Sequence, residues 1–439
     1  MINGFKNILL NKTDDLHKLI FSQPMGKEMT SFTRNLTWTV FGLGTSSAII
    51  FAINLLAGRL LAPVEYGKYN LVLSLSQIIM VFSVFGIDMA AVNFIAKSKS
   101  ETDKKVVVST SLMLITLNLI MVVIGTTLFL KLTDIADYFE ISMVISILIY
   151  TALYSFRNVT DGIMRGLHKF KAQSLLRMVE VGVTLLTFYL MFFIVKKYVY
   201  TANLFATLTG VFALVIIYII YIKHYLFKFD RIILIDLMKY GGLFFTSGVA
   251  GVVFGQLDKI IVTTSLGISS FGLYSAYFTA SGLVSINLAG VVINVFFPAV
   301  SKEPNKLPIY HKLNRLTAYT ILPLFMLMVI IVSVAMKIFG SKYQFNLEYI
   351  LLFSILSVLQ FFYSINNSLI TTISRNLFIK SIVFSILIST FYLCGYLIFI
   401  CLSLITITTV VTLMISYVIC LMWMQRIILR NYFGSGLIK

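Results

Sequence analysis

The sequence predicts an all-α polytopic membrane protein with about twelve transmembrane helices in two pseudo-symmetric six-helix bundles. Three observations carry this. First, hydrophobic residues make up 59% of the 439 and charged residues 12%, against roughly 45–50% and about 25% in soluble domains. A water-soluble fold cannot hide that much apolar surface, so lipid must be the solvent. Second, twelve apolar segments each reach the ~20 residues that a bilayer requires. Third, LAPVEYGKYN at 61–70 is nearly restated as LGISSFGLYS at 266–275, an offset of 205.

In chain order the segments are 36–57, 69–96, 106–130, 141–160, 174–195, 200–222, 240–264, 271–298, 316–339, 346–372, 377–399 and 402–424. Each is expected to be helical, because in hydrocarbon every backbone polar group must be bonded within its own segment. The fifth is the least regular, with Arg177 and Glu180 in its first turns, and the last two are separated by almost nothing. The division that follows is a cytoplasmic N-terminal segment at 1–35, bundles at 36–222 and 240–424, a connector at 223–239 and a tail at 425–439. In the first segment Phe5, Ile8, Leu9, Leu16, Leu19 and Ile20 recur at helical spacing. They suit an amphipathic helix on the inner leaflet, and a disordered tail fits as well. No apolar core follows the early lysines, so the segment does not read as a signal peptide.

The formal net charge is +18. With the N-terminus inside, 27 of the 35 Lys and Arg fall on inner segments and 7 on outer ones, while Lys259 lies within a span. That bias puts both termini in the cytoplasm and accounts for the charge without nucleic acid. Cys394, Cys401 and Cys420 sit in or beside apolar segments and read as packing residues. All four histidines are on cytoplasmic segments, no P-loop pattern occurs, and no outer loop exceeds about a dozen residues. No metal, cofactor, ATP motor or catalytic domain is therefore expected, and an enzyme is not the reading.

Residues 61–76 and 266–281 share Leu, Gly, Tyr and Ser at equivalent positions. Both copies lead into the second helix of a half, six helices apart, so the halves repeat in parallel. The glycines suit a tight turn, and Tyr69 and Tyr274 suit the membrane interface.

The segments GRLLAPVEYGKYN (58–70), GIDMAAVNFIAK (86–97), MRGLHKFKAQ (164–173), QLDKIIVTTSLGISSFGLYS (256–275), VVINVFFPAVSK (291–302) and FGSKYQFNLEYI (339–350) resemble the O-antigen or polysaccharide repeat-unit flippases (Wzx-type). Those belong to the multidrug/oligosaccharidyl-lipid/polysaccharide exporter superfamily. The resemblance covers most of the chain from about residue 35. It implies a bacterial cytoplasmic (inner) membrane protein that flips undecaprenyl-diphosphate-linked oligosaccharide outward by alternating access. It implies membrane lipids and polysaccharide polymerase machinery as partners, and a monomer suffices to close the fold. A coupling ion, H⁺ or Na⁺, is left open. A cation-coupled multidrug exporter and a lipid II flippase are the alternatives, the latter weakened by the scarcity of intramembrane arginines.

An ionisable side chain inside a bilayer costs about 2.5–3.5 kcal/mol on insertion scales, which makes each one a functional candidate. Asp258 and Lys259 are the foremost, Asp258 standing where the resemblance implies an acid before the Gly-x-Tyr loop. Gly255, Gly251 and Ser247 run inward from Lys259 at steps of four, a stripe that permits close helix approach or lines a cavity. Lys259 lies near the outer end, where it can snorkel. Adjacent residues do not face each other on a helix, so each of the pair is expected to find a partner elsewhere. The 205-residue offset sets Asn54 opposite Lys259. Ser74, Gln77 and Asp88 share a face, and Asp88 is expected to take a proton or cation, or to pair with an inner basic residue. Asn287 and Asn294, and the stripe Ser357, Gln360, Ser364, Asn367 and Thr371, suit sugar hydroxyls and helix–helix bonds equally. Arg157 and Asp161 are four apart and are expected to pair locally. Arg157, Arg165 and Lys169, with Lys171, form a basic entrance for a diphosphate, as lipid headgroups or topology also explain. Arg34 and Arg59 mark the two ends of the first helix.

Overall fold

A computed structural model of the chain describes residues 27–132, 140–226, 229–290, 292–293 and 306–434. The possible amphipathic helix before residue 27 lies outside them. Among the described residues there is helix and no strand. The N-terminal half runs α1 (Lys27–Leu60), α2 (Pro63–Val84), α3 (Ile87–Lys97), α4 (Glu101–Leu132), α5 (Ile141–Gly166), α6 (Phe170–Tyr189) and α7 (Tyr200–Ile222). The C-terminal half runs α8 (Arg231–Gly248), α9 (Phe254–Phe278), α10 (Leu307–Phe339), α11 (Leu347–Ile373), α12 (Arg375–Cys401) and α13 (Ile407–Gly434). Among the described residues ten helices are long and apolar enough to cross a bilayer, and Gly44–Leu60 of α1 is a shorter apolar stretch. One of the ten, Gly255–Gly290, is two crossings in one: Gly267 has φ 83° and ψ 166°. There α9 doubles back, bringing Asp258 beside Tyr274 and Lys259 beside Phe278. Twelve crossings result.

The expected span 69–96 is broken. Phe85 and Gly86 both adopt left-handed backbone, with φ 48° and 69°. The reason lies across the halves: a Cβ on Gly86 would strike the Gly241 carbonyl oxygen. The two-residue break lets α3 lie against α8 at that spacing. Phe245 of α8 then stacks on Phe85 at 4.5 Å, and Tyr240 meets Phe94 edge-on at 5.9 Å. Leu237 joins a buried cluster otherwise made by α2–α5 and α7. So α8 packs on the N-terminal half. A π-turn at Val249–Val253 separates it from α9.

The repeated motif corrects its own first reading. Gly67 lies within α2 and Gly272 within the second arm of α9, not in turns. A Cβ on Gly67 would overlap the Ile268 carbonyl oxygen, and one on Gly272 would overlap the Pro63 carbonyl oxygen. Ile268 is Pro63 plus 205, so the two contacts exchange under the offset. The glycines permit two helix backbones to touch. Tyr69 and Tyr274, expected at the lipid–water boundary, are buried at 4% and 0% exposure. Their hydroxyls meet Thr207 at 3.3 Å and Asp258 instead.

The largest core contains residues of both halves, among them Leu61, Tyr66 and Tyr69 with Phe271, Tyr274, Phe339 and Tyr343. It lies toward the end that carries the α1–α2 and α10–α11 connections. Toward the end of the chain termini the cores are separate: Ile87, Ile95, Ile163, Tyr218 and Leu237 in one, Tyr310, Leu369, Leu421 and Leu429 in the other. Lipid is as apolar as leucine, so packing and hydrogen bonds hold such helices together, not a hydrophobic drive. Gly210 of α7 illustrates this. A Cβ there would overlap the Thr184 hydroxyl and come within 2.6 Å of the Glu180 carbonyl oxygen. Gly210→Ala is expected to cost about 1–3 kcal/mol, the range for overpacking. Thermal unfolding in detergent measures it, and an unshifted transition would contradict the close α6–α7 fit.

Candidate transport site

The first arm of α9 presents Asp258 and Lys259, 1% and 7% exposed. The Tyr274 hydroxyl donates to Asp258 Oδ2, and Lys259 Nζ lies 3.6 Å from Asp258 Oδ1. The neighbours therefore pair, against expectation. The lysine stem turns back toward the helix N-terminus, as helical side chains do. Its ammonium donates to the Gly255 carbonyl at 3.1 Å and sits 4.4 Å above the Phe278 ring. Lys259 accordingly does not snorkel outward. Nothing lies within 4 Å of where a Cβ would stand on Gly251 or Gly255, so these glycines border open space instead of a helix contact. The Ser247 side chain is outside the described set. Two residues before Asp258, Gln256 Nε2 donates to Gln77 Oε1 of α2 at 2.7 Å, a bond between halves.

A second set of charges lies inside the N-terminal half. Arg157 pairs with Glu180 at 2.8 Å, and Arg177 pairs with Asp161 and, at 3.1 Å, with Glu180. The expected Arg157–Asp161 pair is thus replaced by two bridges from α5 to α6. Arg157 also covers the Tyr154 ring at 4.8 Å. Asp161 accepts from Tyr218 at 2.6 Å and from Gln173 at 3.0 Å. Two acids and two guanidiniums cancel, and the carboxylates are fully hydrogen-bonded, which is how buried charge becomes tolerable. Arg177 and Glu180 had made the fifth span look irregular. Their signal was an acid within four residues of an arginine on each of two adjacent segments, Arg157 with Asp161 and Arg177 with Glu180.

Asp88 lies 3.8 Å from Arg165, one of the two outcomes expected of it. Lys169 and Arg59 are exposed, and the Arg59 and Leu60 carbonyls accept from Lys342 at 3.5 and 3.4 Å. Asn54 donates to Ile50 in its own helix at 2.9 Å. Asn287, Gln360 and Asn367 are half-buried. The hydroxyls of Ser357, Ser364 and Thr371 bond to Phe353, Gln360 and Ser368 carbonyls of α11 itself. Those three hydroxyls are spent on their own helix, which leaves the two amides as the stripe's polar groups. Arg34 lies in α1 with its side chain outside the described set, and Asn294 is outside it altogether. Among the described residues no group of three His, Cys, Asp or Glu gathers to hold a metal.

Twelve crossings in two halves, with a core shared by both at one end, define a polytopic helical membrane fold. An inward-facing multidrug resistance MATE family transporter of the MOP superfamily is similar over 89% of this chain and 96% of its own, at TM-score 0.69 and 14% identity. An outward-facing MATE transporter is similar at 0.57 and 16% identity, over 93% and 97%. A MOP superfamily transporter from Pyrococcus furiosus, described as having a binding pocket of reverse polarity that suggests a different function, is similar at 0.60 and 16%, over 93% and 96%. No curated protein matches the sequence. The model of the polysaccharide biosynthesis protein family matches residues 32–303, and the chain belongs to that family. It is a multi-pass membrane protein of that family, with the fold of those transporters, as the Wzx-type resemblance implies.

Proposed function

We propose that the protein carries an undecaprenyl-diphosphate-linked oligosaccharide from the inner to the outer leaflet of the bacterial cytoplasmic membrane by alternating access. One observation carries the reading: one core joins both halves at one end, whereas at the other the N-terminal half with α8 packed on it and the remaining C-terminal helices keep separate cores, with Asp258, Lys259, Gln77 and Gln256 between. The distribution of Lys and Arg supports a cytoplasmic position for the separated end, and on this reading it is the state that loads. Arg165 and Lys169 attract the diphosphate there, while Lys259, beside the open space at Gly255, offers it a cation deeper in. The amides of Gln360, Asn367 and Asn287 suit sugar hydroxyls. Membership of a polysaccharide biosynthesis family favours this substrate over a drug.

Deletion in the native host is expected to stop display of the surface glycan and to leave lipid-linked repeat units accumulating on the inner leaflet. Extraction and mass spectrometry of the lipid fraction measure the second. Normal display with raised drug sensitivity would instead make the protein an exporter like its MATE structural neighbours.

A further inference from the structure

The seal at the shared-core end is built from the repeated motif. Tyr66, fully buried, crosses from the N-terminal half to donate to Thr279 Oγ1 at 3.1 Å. Its ring meets Phe339 and Tyr343 edge-on at 5.7 and 6.2 Å. Phe339 in turn lies on Gly58, where a Cβ would overlap the ring. Beside this insertion stands the backbone contact of Gly67 with Ile268 and Gly272, and of Gly272 with Pro63. The 205-residue counterparts of Tyr66 and Thr279 are Phe271 and Ser74, a pair without a phenol to donate. The hydroxyl latch is therefore single, while the glycine contact is double.

We infer that Gly67 and Gly272 set which way the transporter faces. Their missing side chains are what allow the motif's two copies to touch and the outer end to close. An added methyl collides only in the state where the copies meet. Once the halves part at this end the same methyl has room, so Ala at either position disfavours the sealed state and leaves the parted one untouched. A ligand-free population then shifts toward outward opening. The inference rests on the alternating-access reading but not on the identity of the cargo.

The test uses the full chain with Cys394, Cys401 and Cys420 replaced by Ser, and Thr279→Cys as the reporter beneath Tyr66. A membrane-impermeant maleimide is applied to the outer face of intact cells or right-side-out vesicles. Gly67→Ala and Gly272→Ala are each expected to raise the labelling rate at least about ten-fold, the shift that ~1.4 kcal/mol against one state produces. Gly182→Ala, at a glycine with nothing within 4 Å of its Cβ position, is expected to leave it unchanged. Folded alanine variants that label as slowly as the parent overturn the inference. If an alanine variant does not fold, Tyr66→Leu, which loosens the same closed contact, replaces it: faster labelling supports the inference, and parental labelling overturns it. Because labelling needs no substrate, a wrong cargo alters the glycan assay alone, whereas halves that do not move leave labelling flat.

Discussion

Asp258→Asn is expected to lower transport by at least about ten-fold while the protein still inserts in the membrane. The carboxylate holds two groups, the Tyr274 hydroxyl and the Lys259 ammonium. Neutralising it leaves a cation in the interior with, among the described residues, the Gly255 carbonyl and the Phe278 ring beside it. Breaking a buried pair from one side costs about 3–5 kcal/mol, mostly for the charge left behind. Stability and transport are separated by the double variant Asp258→Asn with Lys259→Met, which removes both charges and restores neutrality. Its melting transition is expected near that of the parent, with transport still lost. Recovery of transport in the double variant would assign the pair to folding alone. Glycan display in a deletion strain and thermal unfolding in detergent read the two outcomes.

The second large effect belongs to Glu180. Its two oxygens serve Arg157 at 2.8 Å and Arg177 at 3.1 Å. Glu180→Gln strips a shared counter-charge from two guanidiniums, and about 3–5 kcal/mol of destabilisation is expected, visible as an unfolding transition several degrees lower. Glu180→Gln combined with Arg157→Met is expected to recover much of it, since Arg177 keeps Asp161. An exposed bridge provides the contrast. Lys68 reaches Glu140 at 2.6 Å, and its hydrogen bond holds that carboxyl below the usual carboxylate range. The bridge contributes at neutral pH and is lost as the pH falls through the lowered value. Because Glu140 is exposed, Glu140→Gln is expected to change stability little. A drop as large as that of Glu180→Gln would contradict the burial argument.

Membrane crossings were legible in the sequence because lipid imposes a single rule, a long apolar run that satisfies its own backbone. The break inside one of them was not. Phe85–Gly86 is set by what lies opposite and does not alter the apolar run, whereas the turn at Gly267 falls in the gap expected between 264 and 271. The same limit explains the repeat. Spacing located Gly67 and Gly272 and paired them correctly across 205 residues, but a glycine needed for a turn and one needed for backbone contact look alike in text. Charge partners were the least legible. Rules for one helix paired Arg157 with Asp161 and kept Asp258 from Lys259. The structure reversed both, because α6 brought Glu180 and Arg177 to α5 and a long lysine stem reached back along its own helix.

The reciprocal contact of Gly67 and Gly272 has a historical reading. A surface in which residue i touches j while j touches i is the signature of an isologous interface, the kind that two identical subunits make about a two-fold axis. Each copy of the motif is at once the surface that receives and the surface that inserts. In a symmetric pair every change at that axis strikes twice. Joined in one chain, the copies were free to part company. Tyr69 still meets a hydroxyl, on Thr207, whereas its twin Tyr274 holds a carboxylate. Fusion thus lets one half acquire a buried charge that a symmetric dimer would have had to carry in duplicate.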